Sequence, residues 1–98
     1  MEQKGFVFLL RDPANNYLIS SAPTRGVKRE IERLEMSYDV HLLVEWMIPT
    51  DDRVQLQNEL VSKYDGKRRQ YGWFELGAAD VKYIQSLSRV DYQGEEVV

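Results

Sequence analysis

The sequence predicts an α+β domain: a small mixed or antiparallel three-stranded sheet flanked by helices, in the order β-β-α-β-α-(β)-α. Two observations carry this. Short apolar runs bounded by turn residues occupy the early chain, as strands do, and later stretches repeat their apolar residues at helical spacing. Gly5-Phe6-Val7-Phe8-Leu9-Leu10 is continuously apolar and reads as a strand buried on both faces. Asp12-Pro13-Ala14-Asn15-Asn16 is a turn by composition, and Tyr17 to Ser21 completes a hairpin. Val27, Ile31 and Leu34 recur at one helical face, which predicts a helix from Thr24 to Met36. Val40 to Met47 is the expected third strand, with Leu42, Val44 and Trp46 on one face and His41, Leu43 and Glu45 on the other. Thr50 is the expected N-cap of a second helix with an inner stripe of Leu56, Leu60 and Tyr64, and Gly66 marks its stop. Tyr71 to Leu76 reads as a short extended or turn segment. Ala78 to Leu87 is a final helix packing through Val81, Ile84 and Leu87.

The length of 98 residues fits one domain, expected over 1–88, followed by an acidic tail over 89–98. Thirteen basic against 16 acidic residues give a formal charge of −3, which argues against coating nucleic acid by bulk charge alone. The three acidic residues from Asp91 onward account for that whole sum, so it does not exclude local basic patches. Cysteine is absent, which removes disulfides and thiolate chemistry. The longest apolar run, Phe6 to Leu10, is too short to cross a bilayer, and no apolar leader opens the chain. A soluble cytoplasmic protein is expected, with no membrane partner. The single His41 without cysteines argues against zinc, and the scattered glycines form no phosphate loop. No cofactor is expected and no small-molecule ligand, although composition leaves a carboxylate-held magnesium open.

Two stretches concentrate positive charge. Arg25, Arg29 and Arg33, with Lys28, are spaced to line one side of the first helix, a pattern suited to following phosphates. A solvated helix face salted with Glu30, Glu32 and Glu35 reads the same way. Lys63, Lys67, Arg68 and Arg69 close the second helix and precede Tyr71 and Trp73; basic residues interleaved with aromatics suit a nucleic-acid backbone and exposed bases. Equally, cations at a helix C-terminus complement its dipole, and Trp73 and Phe74 have the character of core.

The order and motifs together resemble the GIY-YIG nuclease superfamily, and within it the small DNA-binding branch common in bacteriophages. Gly5 to Leu10 is similar to that branch's first strand and Tyr17 to Ala22 to its second. Val27 to Leu34 is similar to its basic helix. Leu56, Leu60, Tyr64, Lys67, Arg68, Trp73, Phe74 and Leu76 fall at the spacing of its later helix and loop. In active members, the resemblance implies, hairpin tyrosines help to activate water, a helix arginine steadies the phosphate and a glutamate holds a divalent metal. Here Phe8 stands at the first tyrosine position, Leu18 at the second and Gln57 at the glutamate position, while Arg29 or Lys28 remains at the phosphate position. Glu59 cannot replace Gln57, because two residues turn a helix by about 200°. A pseudo-nuclease without catalytic residues or metal is therefore expected.

The leading expectation is a module that binds nucleic acid, DNA rather than RNA, through Arg25, Lys28, Arg29, Arg33, Lys67, Arg68, Arg69, Tyr17 and Trp73, with Arg25, Arg29, Arg33, Lys67, Arg68 and Arg69 near one groove. The alternative is a protein-interaction module, for example a phage accessory protein that modulates a host protein in the host cytoplasm. A weak magnesium-dependent nuclease is the third reading.

Overall fold

The computed structural model describes residues 4–87, so the acidic tail expected at 89–98 lies outside the described residues. The architecture is α+β: one antiparallel three-stranded sheet, ordered β2-β1-β3, and three helices. The central strand β1 (Gly5–Arg11) pairs with β2 (Tyr17–Pro23) from Gly5↔Pro23 to Arg11↔Tyr17. Its other edge pairs with β3 (Leu43–Thr50). Paired on both edges and covered on both faces, β1 buries the whole run Val7 to Leu10, as its unbroken apolar sequence requires.

Strand alternation divides the core into two layers. Phe8 and Leu10 face a cluster with Leu18, Ala22, Leu34 and Leu42, onto which α1 (Val27–Tyr38) packs with Val27 and Ile31. Val7 and Leu9 face the opposite cluster, with Ile19, Ile48, Leu56, Leu60, Tyr64, Phe74, Leu76 and Ile84. That layer is supplied by α2 (Arg53–Lys63) and α3 (Ala78–Gln85). Each large apolar side chain buried this way contributes about 1.5–3 kcal/mol.

The hairpin turn is built on Asp12. Its buried carboxylate accepts hydrogen bonds from the N–H of Ala14 (3.0 Å) and Asn16 (2.8 Å) and from the Asn16 amide (3.1 Å), while Asn15 takes a left-handed φ of 67°. Gly5 allows a close approach: a Cβ there would stand 2.2 Å from the Ala22 carbonyl oxygen and 2.9 Å from Arg53 Cδ.

Several boundaries differ from expectation. The first helix starts at Val27, because Gly26 N–H closes a turn onto Pro23 O at 2.8 Å; Arg25 lies in that turn and not on the helix. The third strand is displaced to Leu43–Thr50, with His41 exposed ahead of it beside Glu35. A bulge opposite Leu9 and Leu10 pairs them with Trp46 and Val44 and passes over Glu45, so the expected alternation fails: Leu42 packs under α1, Trp46 joins the other core, and Val44 is exposed. Thr50 stays in β3, fully buried, and Asp52 is the N-cap of α2, accepting from Gln55 N–H.

The aromatic segment forms a small hairpin. Arg68 bridges Phe74, Arg69 N–H donates to Trp73 O, and Phe74 exchanges two backbone hydrogen bonds with Tyr17 on the open edge of β2. Tyr71 (φ 62°) and Gly72 (φ 86°) form its tip. Gly66 falls in a 3-10 turn (Asp65–Lys67) beyond the end of α2, and α3 stops at Gln85, with Leu87 packing beyond it.

Candidate functional site

Topology brings two helix N-termini to one end of the sheet. Gly5 pairs with Pro23, where the chain turns into α1, and with Thr50, which leads into α2. Both helices therefore direct the positive ends of their dipoles to the Gly5 end. Arg25, Lys28 and Arg29 are exposed in the turn and first turn of α1, and none has an ion pair or side-chain hydrogen bond among the described residues. Arg53, the first residue of α2, lies against Gly5; its Nη1 donates to Ser21 Oγ at 3.3 Å, and its buried Nε has no partner. Three cations without partners at the positive end of a helix cost stability and raise the local potential.

One carboxylate of α1, Glu30, is already engaged. Glu30 receives Arg33 through two hydrogen bonds, 3.0 Å from Nε and 2.8 Å from Nη2, and the Ser20 hydroxyl at 3.0 Å. The Arg33 guanidinium, helped by Ser20, holds the Glu30 carboxyl below the usual carboxylate range despite its partial burial. Arg33 is thus neutralised locally and does not extend the free basic surface.

The second basic stretch is arranged differently. Lys67 pairs with Asp80, which also accepts Gly77 N–H at 2.9 Å and so caps α3; these donors hold the Asp80 carboxyl below its ordinary value. Arg68 pairs with Asp65 at 3.6 Å and lies over the Phe74 ring, and Arg69 pairs with Glu75. Each of these three cations has a carboxylate partner. The stretch lies at the Arg11 end of the sheet, because Phe74 bridges Tyr17, the partner of Arg11. Seven strand residues separate the two ends, roughly 20 Å. The expectation that both stretches border one groove is therefore corrected.

Tyr17 is half-buried against the α2-side core. Trp73 is partly buried in the α1-side core, its ring edge-on to Tyr38 at 4.9 Å between centroids. The exposed aromatic of this loop is Tyr71, 79% accessible. Tyr71 and Arg53 are absent from the sequence-derived site. The Tyr-Gly pair between two hairpin arms was the available signal for Tyr71; for Arg53 it was a cation at a helix start.

Phe8 and Gln57 lie on opposite sides of the sheet. Phe8 is in the α1-side core, whereas Gln57 on α2 accepts the Ser21 hydroxyl at 2.6 Å and donates to Ile19 O at 3.4 Å. Glu59 points to solvent and accepts from Gln55 at 3.1 Å. Among the described residues, no group of three or more His, Cys, Asp or Glu side chains is placed to hold a metal ion, and no helix is long and apolar enough to cross a membrane. Comparison with protein-family models, with curated proteins and with solved structures finds no match.

Proposed function

We propose that this chain is a nucleic-acid-binding domain of nuclease-like design that binds without cutting, with DNA as its partner. The observation that supports the reading is the set of unpaired cations Arg25, Lys28 and Arg29 where α1 and α2 both begin. Guanidinium and ammonium groups there meet phosphates without first breaking an ion pair, and the helix dipoles add to the attraction. The burial of Phe8 and the neutral amide of Gln57, on opposite sides of the sheet, favour binding over hydrolysis. A gel-shift titration at low salt tests this. Wild type shifts duplex DNA, the triple change of Arg25, Lys28 and Arg29 to Glu abolishes the shift, and Gln57→Ala leaves it unchanged. Plasmid incubated with magnesium and excess protein stays intact.

A second reading, a protein-interaction module, is favoured by apolar exposure near the other end of α1: Met36 is 84% exposed, and Leu43 and Val44 open β3 with much of their surface in water. A stoichiometric protein partner recovered by pull-down after nuclease treatment supports that reading over the first.

A further inference from the structure

Resting on the nucleic-acid reading, we propose that the hairpin tip at Tyr71 and the cleft beside it bind an unpaired nucleobase, so that the domain prefers single strands to duplex. The cleft, about 460 Å³, is lined by Asn16, Arg69, Gln70, Tyr71, Trp73 and Glu75. Two features select a flat, neutral, hydrogen-bonding ring over a phosphate. Arg69 is paired with Glu75, so the cleft carries no net charge from that pair. Its walls instead combine aromatic rings with the side-chain amides of Asn16 and Gln70, each carrying both a donor and an acceptor.

The tip is held for contact. Tyr71 and Gly72 occupy two successive left-handed positions, a turn that favours Asn-Gly over Tyr-Gly. The Tyr38 hydroxyl donates to Tyr71 O, tying the tip to the last residue of α1, and Trp73 is braced edge-on against the Tyr38 ring. The backbone is thus fixed from behind while the Tyr71 ring stays 79% exposed. A bulky aromatic exposed to water, at a backbone position better served by a small residue, marks a contact side chain. Stacking on such a ring tolerates any base, because each presents a π-face. The unpaired cations lie toward the Gly5 end of β1 and the Tyr71 hairpin toward its Arg11 end.

The test uses the full chain and fluorescence anisotropy with a short labelled oligothymidine, alone and annealed to its oligoadenosine complement. The single strand binds more tightly than the duplex in wild type and in Tyr71→Phe, which keeps the ring. Tyr71→Asn, which suits the turn, binds the single strand about tenfold more weakly and loses the preference, while its duplex affinity is unchanged. Equal affinity for both forms in wild type, or a preference that survives Tyr71→Asn, overturns the base-stacking proposal and leaves nucleic-acid binding standing. Absence of binding to either form overturns both.

Discussion

Asp12 shows how one side chain can specify a turn. Its carboxylate is buried and takes three donors from the Ala14-Asn16 segment, so removing it takes the acceptor from two backbone N–H groups and the Asn16 amide together. Asp12→Ala is expected to cost about 1–3 kcal/mol in urea denaturation. Tyr71 works in the opposite direction: a bulky residue at φ 62° carries backbone strain, and Tyr71→Asn is expected to stabilise the fold by about 1 kcal/mol or less. Glu30 supplies a pH dependence with a definite sign. Its folded-state pKa is depressed, mainly by Arg33, so its contribution to stability is complete above the unfolded carboxylate pKa of about 4.3 and is lost as pH falls through the lower folded value. Thermal melts of wild type and Glu30→Gln should differ most near neutral pH and converge at acid pH.

At the scale of elements, the charges on α1 separate function from stability. Lys28 and Arg29 occupy its first turn, where the dipole disfavours cations. The double change of Lys28 and Arg29 to Glu is expected to raise stability, by about 0.3–1 kcal/mol per site, while weakening DNA binding. A variant that melts higher and binds less distinguishes a contact surface from a structural one. The elements themselves were legible in sequence to different degrees. β1 and the hairpin turn were readable because an unbroken apolar run and an Asp-Pro-Asn turn each have one local meaning. The register of β3 was not, because the bulge at Leu9 and Leu10 depends on how two distant strands pair, and it moves Val44 and Trp46 off a shared face. The cap of α2 was misplaced by two residues because Thr50, a good cap by type, is retained by its pairing with Gly5.

At the scale of the molecule, a formal charge of −3 conceals a sorted surface. Which cations are free was only partly readable. The Glu30–Arg33 pair spans three residues of one helix and is visible as a sequence spacing. Lys67 with Asp80 and Arg69 with Glu75 depend on the hairpin and on the start of α3, which only the fold brings together. The unpaired cations Arg25, Lys28 and Arg29 lie where two helices start, and that convergence follows from the order β2-β1-β3 with Gly5 paired to both neighbours.

The most direct measurement is the dissociation constant for nucleic acid across a range of salt concentrations. Three phosphate contacts from Arg25, Lys28 and Arg29 predict that log affinity falls with log salt at a slope of about −3 for duplex, through counterion release. The slope should flatten by about one unit for each of these residues changed to Ala. No binding at low salt, or an affinity indifferent to salt, would contradict the account.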